Sequence, residues 1–372
     1  MECDLVLLTW NHLEVTQSCL ESLFAHTDLP SRLVIVDNGS DQTGVKEYLE
    51  SIKPSGSIRQ VTLLRNEQDL GFSKGMNSGL RFCLSQNPAP YLCVISNDVI
   101  FTQGWLSELV CVPEKNPTVG LVNPNSTNFG FYPPAKGNRQ EVESKTRTDK
   151  RLVIDEINKY GVKISYSFKG RWQELGSCIG FCMLVKREVL EKIGLFDEVY
   201  GMAYYEDADL SKRAQSTGYI CALARGSYVY HEQGESFGKH REKSSLFLKN
   251  EELFYSRWKM PKPGRLCYIF GNRSHEMSGP LFSEIKNLAN QFNKIWILFR
   301  GGENGHQMFR HWNVQERFFR GPSVFFYFWV LVYLLSKKKR FSMVFIDTLP
   351  LLTFLKNCQK RYQSELRLFS IQ

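Results

Sequence analysis

Short apolar runs alternate with stretches of helical periodicity along the first part of the chain. Each run has strand length and ends in polar residues, which is typical of buried strands in a parallel sheet. Strands are predicted at residues 4–10, 33–36, 61–65, 91–95 and 183–186, and helices at residues 15–26, 44–52 and 210–217. The alternation predicts an α/β fold with a doubly wound mixed sheet, whose ligands bind beyond the carboxyl ends of the strands.

Polar side chains collect at that predicted edge. They are Thr9 and Asn11 after the first strand, Asp37 and Asn38 after the second, Asn66 after the third, and Asn97 and Asp98 after the fourth. An aspartate that ends a buried strand is well placed to hold a divalent ion against phosphate oxygens, so Asp98 is a candidate metal ligand. Plainer interpretations stay open, because Asp37-Asn38-Gly39 also favours a turn and Asp98 could begin the turn before Gly104.

A glycine-rich segment follows the third strand. Gly71, Gly75 and Gly79 recur every four residues, with Lys74 and Asn77 between them. Glycine permits close approach of the backbone to a ligand such as a diphosphate, and Lys74 could pair with a phosphate. The spacing matches neither the phosphate-loop nor the dinucleotide fingerprint, so this segment alone is a weak signal.

Three carboxylates, Glu206, Asp207 and Asp209, open a predicted helix. Two short strands are predicted after it, one at residues 219–224 and, beyond a turn at Gly226, one that ends at His231. The helix dipole stabilises acidic residues at a helix start, so an acidic first turn without function is the ordinary explanation. Because Asp98 and His231 occur in addition to these carboxylates, the residues together instead suggest a metal ligand set and a general base.

The region between these motifs suggests an acceptor side. Residues 123–170 are rich in Asn, Gly and Pro and then in charge, which is typical of a lid, an acceptor loop or a disordered excursion. The acceptor-side candidates are Trp172, Gly176, Cys178 and Arg213. Arg213 could bind phosphate or steady a carboxylate, and an ordinary surface salt bridge explains it equally well.

The composition, 42% hydrophobic and 23% charged over 372 residues, is that of a globular protein with two domains or one large one. Ten cysteines without a CxxC pair argue against zinc and favour a reducing compartment. The acidic N-terminus predicts no signal peptide, and we expect a cytoplasmic protein with no nucleic-acid partner. Residues 258–372 hold 18 Lys and Arg against 6 Asp and Glu, which indicates an anionic membrane or substrate, or a solvated basic face.

The chain is predicted to divide into a domain at 1–257, a linker at 258–264 and a basic α/β domain at 265–372. The last of these weakly resembles the start of the N-terminal half of a GT-B glycosyltransferase, and a relic or a docking module is expected. Within it, residues 325–340 join an apolar run to a basic cluster. The run is too short to span a bilayer, so an interfacial segment on the inner face of the plasma membrane and a buried helix both stay open.

The ordered motifs of residues 5–236 resemble the family 2 glycosyltransferases, which have the GT-A fold. The motifs are LTWNH, VDNGSD, NEQDLGFSKGMNSG, SND, GSCIGFCMLVKREVLEKIGLFDE, YYEDADLSKR and the closing His231. The resemblance implies that donor-binding residues are Thr9, Asn11, Asp37, Asn38, Asn66, Gly71, Lys74, Asn77 and Asn97. It implies that Asp98 and His231 are metal ligands. Ser96 departs from the family, since it stands where the first aspartate of the metal motif is usual.

This resemblance implies an inverting transferase that moves a sugar from a nucleoside-diphosphate donor to a glycan or a lipid-linked acceptor in cell-surface polysaccharide synthesis. Asp207 would be the general base, Glu206 would orient the acceptor, and Mn²⁺ or Mg²⁺ would offset the charge of the diphosphate. The SND motif followed by Val99 looks most like the rhamnosyltransferase members. The alternatives are a catalytically silent relative that binds a glycan or a membrane, and a nucleotidyltransferase.

Overall fold

The strands and helices of the chain belong to two α/β units. A computed structural model describes residues 2–87, 89–129, 150–232, 245–271, 277, 279–301, 308–322, 325–336, 341–358 and 364–369. The first unit comprises residues 1–173 and 177–257, and the second comprises residues 174–176 and 258–372. The division predicted from the sequence assigned residues 174–176 to the first domain.

Parts of two sequence predictions fall outside the described residues. They are the stretch 130–149 of the predicted insertion and the basic residues 337–340 that follow the apolar run. The described end of the insertion is helical from residue 150 to residue 168.

The first unit begins with alternating strands and helices. Its strands are β1 (Cys3–Thr9), β2 (Ser31–Asp37), β3 (Ile58–Arg65), β4 (Tyr91–Ser96), β5 (Val99–Phe101), β6 (Val119–Asn125), β7 (Trp172–Leu175), β8 (Cys182–Lys186) and β9 (Ile220–His231). Its helices are α1 (Leu13–His26), α2 (Val45–Ser51), α3 (Gly71–Ser85), α4 (Trp105–Lys115), α5 (Lys150–Phe168), α6 (Arg187–Ile193), α7 (Glu206–Ser216) and α8 (Ser245–Arg257). The two short strands expected before His231 are one continuous strand, β9.

The described strands of this unit form one mixed sheet in the order β3-β2-β1-β4-β8-β6-β9-β5, and β7 pairs with β9. The first four strands are parallel, whereas β8 runs antiparallel to its neighbours β4 and β6. Thr9 is in register with Asp37, and Leu8 is in register with Ser96. The predicted fold class, a mixed sheet flanked by helices with a smaller α/β unit, is confirmed.

The glycine-rich segment 71–79 is the first part of helix α3, and at Gly75 and Gly79 the missing side chains let this helix pack closely on the sheet. A Cβ atom on Gly79 would lie 2.4 Å from Val6 Cγ1, and one on Gly75 would lie 2.8 Å from Leu8 Cδ1. Close packing of a helix on a strand is a standard use of glycine. The spacing of four therefore marks a helix face in contact with β1.

The second unit contains a separate five-stranded parallel sheet in the order β12-β11-β10-β13-β14. Its strands are β10 (Arg265–Phe270), β11 (Lys294–Arg300), β12 (Val314–Phe319), β13 (Met343–Ile346) and β14 (Glu365–Leu368). Its described helices are α9 (Gly279–Asn290), α10 (Phe326–Ser336) and α11 (Leu349–Asn357). The aliphatic side chains of these strands form the core between the helices.

Helix α10 contains the apolar run for which two interpretations were open. One face of it packs into the core through Phe326, Val330 and Leu334, and the other exposes Phe328 and Val332. Among the described residues, no helix is both long enough and apolar enough to cross a membrane.

Candidate active site

Thr9 and Asn97 meet where the parallel strands β1 and β4 end. The amide Nδ2 of Asn97 donates to Thr9 Oγ1 at 3.2 Å and to Thr16 Oγ1 at 2.9 Å. The two threonine hydroxyls are themselves 2.9 Å apart. This buried cluster fixes the start of the loop that carries Asn97 beside the predicted donor residue Thr9.

Asp37 ends β2 and is fully buried. Its carboxylate accepts hydrogen bonds from the backbone N–H of Ser40, at 2.9 Å, and from the guanidinium of Arg65. Arg65 also donates to the carbonyl of Ser40 at 2.7 Å. Asn11 ties the same loop from the other side, since its side-chain oxygen accepts from the N–H groups of Asp41 and Gln42.

Asn38 links three of the predicted donor segments. Its backbone N–H donates to the carbonyl of Thr9 at 2.8 Å, and its side-chain oxygen accepts from Asn66 Nδ2 at 2.8 Å. Its Nδ2 donates to Asp69 Oδ1 at 2.6 Å, and Asp69 in turn accepts from the N–H of Gly71. Asn38 therefore supports the edge of the sheet from within.

The structure brings Asp98 and His231 together. Strands β5 and β9 pair so that Val99 lies opposite His231, and His231 Nε2 is 3.1 Å from Asp98 Oδ2. Burial raises the pKa of the Asp98 carboxyl, but the charge and the hydrogen bond of His231 outweigh burial and leave this pKa below its ordinary value. Asp98 is therefore a carboxylate near neutral pH.

The imidazole of His231 is oriented by two further residues. Its Nδ1 lies 2.6 Å from Asn128 Oδ1, and because an amide oxygen only accepts, Nδ1 carries a proton. Its ring stacks on Phe181 with the centroids 4.7 Å apart. Nε2 is therefore the ring nitrogen that faces Asp98 and from which a cation would be bound.

The Asp98–His231 pair fits a divalent ion in part. Asp98 Oδ1 is buried without a hydrogen-bond partner, which is costly for a carboxylate oxygen and leaves a lone pair for a ligand. No group of three His, Cys, Asp or Glu side chains suited to a metal occurs within the described ranges. A site with few protein ligands suits ions such as Mg²⁺ that keep waters and bind substrate phosphates.

Asp207 lies in the first turn of α7, and both of its carboxylate oxygens accept backbone hydrogen bonds. Oδ2 accepts from the N–H of Gly180 at 3.0 Å, and Oδ1 accepts from the N–H of Ala208 at 2.7 Å. These bonds fix the direction of the carboxylate. Glu206, the other predicted catalytic residue, is buried beside it.

The consecutive residues Gly180 and Phe181 join the two halves of the site. Gly180 binds Asp207 through its backbone, and Phe181 stacks on His231 through its ring. The loop that holds them is fixed by buried Asn123, whose Nδ2 donates to the carbonyls of Ile179 and Cys182 at 2.8 and 2.7 Å. Asn123 is a supporting residue that the sequence analysis missed.

The turn before α7 is strained and held by another asparagine. Tyr204 and Tyr205 have φ angles of 77° and 72°, which tyrosine rarely adopts. Asn250 of α8 is buried, and its Nδ2 donates to the carbonyls of Tyr200, Ala203 and Tyr204 at 2.7, 2.8 and 3.2 Å. These bonds place the start of α7, and with it Glu206 and Asp207.

Two further predicted site residues make structural contacts. Asn77 binds the backbone N–H and carbonyl of Phe196 and the carboxylate of Glu198. Arg213 donates to Asp209 at 2.8 Å and to the carbonyls of Ile193 and Leu195 at 2.6 Å. The acceptor-side role of Arg213 stays a prediction, and its salt bridge is with a buried carboxylate.

The remaining candidates differ in burial and in the unit to which they belong. Lys74 is exposed on α3, and Trp172 packs on the main core from β7. Cys178 is buried, and burial raises the pKa of its thiol well above the ordinary value. Gly176 belongs to the second unit, where a Cβ atom would lie 3.2 Å from the carbonyl oxygen of Ala289.

The family of the chain follows from a direct match. The model of the family described as glycosyl transferase family 2 matches residues 4–194, just over half of the chain. The chain belongs to this family of sugar-transferring proteins, and the predicted resemblance is confirmed.

Two relatives are each 24% identical to the chain. An uncharacterized protein, y4gI, of Sinorhizobium fredii matches over 264 residues, which are 69% of this chain and 27% of that protein. The N-acetylglucosaminyl-diphospho-decaprenol L-rhamnosyltransferase of Mycobacterium tuberculosis matches over 286 residues, which are 69% of this chain and 87% of that protein. The chain thus spans a small part of the first relative and most of the second.

Two solved structures are similar at lower identity. A mannosyltransferase of Pyrobaculum calidifontis in complex with GDP-Man and Mn²⁺ is 14% identical, with a TM-score of 0.49, over 77% of this chain and 68% of that one. GalNAc-T7 with UDP, GalNAc and Mn²⁺ is 16% identical, with a TM-score of 0.48, over 69% of this chain and 48% of that one.

The pH dependence of stability tests the Asp98–His231 pair. Because the pKa of Asp98 in the folded chain is below its ordinary 3.8, its stabilising effect is present above about pH 4 and is lost as the pH falls through the folded pKa. We expect Asp98→Asn to flatten the fall in the urea-derived free energy of unfolding between pH 5 and 3. The exposed Asp155→Asn should keep the wild-type slope. A wild-type slope in Asp98→Asn would contradict the pairing.

The role of Asn250 is tested by substitution. Asn250→Ala leaves buried carbonyls without donors and should lower the free energy of unfolding by about 1–3 kcal/mol. Asn250→Asp should cost more, since a carboxylate would face three carbonyl oxygens. Lys249→Ala, on the exposed side of α8, is the control and should change little. Equal stability of Asn250→Asp and the wild type in urea unfolding would refute the stabilising role of the Asn250 hydrogen bonds.

Proposed function

We propose that the chain is an inverting, metal-assisted glycosyltransferase that uses a nucleoside-diphosphate sugar as donor. One observation supports this most: Gly180 and Phe181 bind the candidate base Asp207 and the candidate metal ligand His231 from adjacent positions. A base and a metal pair on the two sides of one short loop suit a reaction in which an acceptor attacks a sugar and a diphosphate leaves.

Asp207 takes the proton in this proposal. The acceptor hydroxyl attacks the anomeric carbon from the face opposite the leaving diphosphate, and its proton passes to a carboxylate oxygen of Asp207. The N–H bonds from Gly180 and Ala208 hold the carboxylate in place. Glu206 would orient the acceptor from the preceding position.

Asp98 and His231 would hold the divalent ion, Mn²⁺ or Mg²⁺. When bound, the ion supplies positive charge that offsets the charge developing on the leaving diphosphate. Asp98 is the principal ligand, because its Oδ1 is unpartnered and Ser96 takes the place of a first carboxylate. The donor residues at the strand ends, Thr9 and Asp37 among them, would contact the nucleotide.

The mycobacterial relative suggests a class of substrates. That protein is named for the transfer of rhamnose to a sugar on a polyprenyl diphosphate, and 87% of its length is matched. We extend this to the chain as a deoxyhexose donor and a glycan or lipid-linked acceptor, used in cell-surface polysaccharide synthesis. The exposed side chains of α10, such as Phe328 and Val332, support reaction at the inner face of the plasma membrane.

A thermal unfolding screen tests donor binding. A ligand that binds the native state raises the midpoint by mass action, so weak binding is visible at high concentration. We expect one nucleoside diphosphate and its sugar conjugate to raise the midpoint in the presence of Mn²⁺ or Mg²⁺, and Asp98→Ala to lose the metal-dependent part. The absence of a shift with any nucleotide would favour a catalytically silent relative. Ser96, which stands in place of the first carboxylate of the metal motif, is consistent with that alternative.

Asp207→Asn tests the base. The variant keeps the size and the hydrogen bonds to Gly180 and Ala208 in part, but an amide cannot take a proton. Transfer should fall by about 10²–10⁴-fold in kcat, whereas the donor-induced midpoint shift should be kept. Asp155→Asn, which removes an exposed carboxylate, should keep full activity. A parallel loss of donor binding and transfer in Asp207→Asn would rule out the base role.

A further inference from the structure

The parallel sheet of the second unit changes direction at one point. The chain proceeds from β10 outward to β11 and β12, and then returns to the other side of β10 with β13 and β14. In open parallel sheets, ligands bind beyond the carboxyl ends of the strands at such a switch point. Here the switch point lies between β10 and β13, and none of the residues proposed for sugar transfer lies there.

Three strand ends converge at this point on Gly271, which follows β10. Arg300, the last residue of β11, donates from Nη1 to the carbonyl of Gly271 at 3.1 Å. The N–H of Gly271 donates to Asp347 Oδ1, after β13, at 2.7 Å. A Cβ atom on Gly271 would lie 3.0 Å from Thr348 Oγ1 and 3.2 Å from Asp347 Oδ1, so these polar groups approach the backbone more closely than any other residue would allow.

Two polar atoms at the same point are buried without a partner. They are Nε of Arg300 and Oγ1 of Thr348. Thr348 occupies the N-cap position of α11, where a threonine hydroxyl usually binds a helix N–H, yet it makes no such bond. Arg300 forms no ion pair with a carboxylate of the described residues. Arg213 of the first unit differs, because its guanidinium is bound to Asp209 and to backbone carbonyls.

The chemistry of these groups selects a ligand. A guanidinium, a hydroxyl and N–H groups at a helix start are donors that bind phosphate, and the helix dipole adds to them. In the first turn of α11 these N–H groups are those of Leu349 and Leu351, because Pro350 has none. The unit is strongly basic, with 18 Lys and Arg against 6 Asp and Glu in residues 258–372. Asp347 at the same edge disfavours a bare anion of high charge, but a carboxylate suits the hydroxyl groups of a sugar.

We propose that the β10–β13 switch point binds a phosphorylated sugar, with the phosphoryl group on Arg300 and Thr348 and sugar hydroxyls on Asp347. The proposed role of this site is to bind the phosphorylated sugar, and the proposal includes no chemical reaction there. The phosphoryl group can come from a soluble sugar phosphate or from the phosphate of a lipid carrier. Both sources share the same contacts with Arg300.

Calorimetric titration of the full chain with glucose 1-phosphate tests the site. Arg300→Gln should weaken binding by roughly tenfold or more, because a charge-assisted contact is lost. Lys294→Gln removes the same charge from the exposed opposite end of β11 and should leave the affinity within about twofold of the wild type. Equal affinity in the two variants overturns the proposal, and so does a wild type that binds neither glucose 1-phosphate nor vesicles with a polyprenyl phosphate.

A second variant separates binding from folding. Thr348→Val replaces an unpartnered buried hydroxyl with a methyl group, so its thermal midpoint without ligand should equal or exceed that of the wild type. Its midpoint shift with glucose 1-phosphate should be smaller. A lower midpoint without ligand and an unchanged shift with it would show that Thr348 is structural and would refute its contact with phosphate.

The source of the phosphate is distinguished with vesicles. Phosphatidylcholine vesicles with and without a polyprenyl phosphate are sedimented with the wild type, Arg300→Gln and Lys294→Gln. Arg300-dependent sedimentation assigns the site to a lipid carrier, and Arg300-dependent binding of glucose 1-phosphate alone assigns it to a soluble sugar phosphate. Nucleotide-sugar hydrolysis should be equal in all three proteins. If the wild type shows no hydrolysis, the proposed transferase activity is refuted, but the proposed binding of a phosphorylated sugar at the β10–β13 switch point is not.

Discussion

The hydrogen bonds of one buried amide, that of Asn123, support both halves of the candidate active site. Its Nδ2 and Oδ1 bind the backbone of Ile179 and Cys182, which bracket Gly180 and Phe181. Those two residues lie outside the strands, and the loop is also bound to the sheet by the N–H of Ser96, which donates to the carbonyl of Phe181 at 2.8 Å. Because Gly180 binds Asp207 and Phe181 stacks on His231, a shift of this loop would move the candidate base and the candidate metal ligand together.

Other buried asparagines also bind the backbone of loops around the candidate active site. Asn38 binds the segments after β1 and β3, Asn77 binds the backbone near residue 196, and Asn250 binds the turn before α7. Loops at the carboxyl ends of strands leave N–H and C=O groups that must be paired when they are buried. An asparagine side chain offers a donor and an acceptor on a short stem, so it pairs such groups without adding charge.

These supports explain which parts of the site could be predicted from the sequence. Strand ends are visible as apolar runs that stop at polar residues, and the parallel register then brings Thr9 and Asp37 together. The partners of Asn123 lie 56 and 59 residues away, and those of Asn250 lie 46 to 50 residues away. Such pairs are set by tertiary packing, and nothing in the local sequence distinguishes these asparagines from those in loops.

The helical conformation of residues 71–79 was not predicted, for a different physical reason. Gly71, Gly75 and Gly79 lower helix propensity, and their spacing was interpreted as an approach to a ligand. Contact with β1 and β2 outweighs propensity, because only glycine allows α3 to approach Val6 and Val36 at these distances. A spacing of four is the repeat of a helix face, and that periodicity was the available signal.

The family match and the catalytic geometry rest on different parts of the chain. The match ends at residue 194 and includes the donor edge, whereas Asp207, His231 and Asn250 all follow it. Two contacts connect these parts of the chain. His231 pairs with Asp98 of the matched region, and Asp207 accepts a hydrogen bond from Gly180 of the same region. The turn before Asp207 holds two tyrosines at positive φ, a conformation that costs of order 1–3 kcal/mol per residue and persists only where the surroundings enforce it. Backbone strain beside the oriented carboxylate of Asp207 is expected if the position of its oxygen atoms is more important than the stability of the turn.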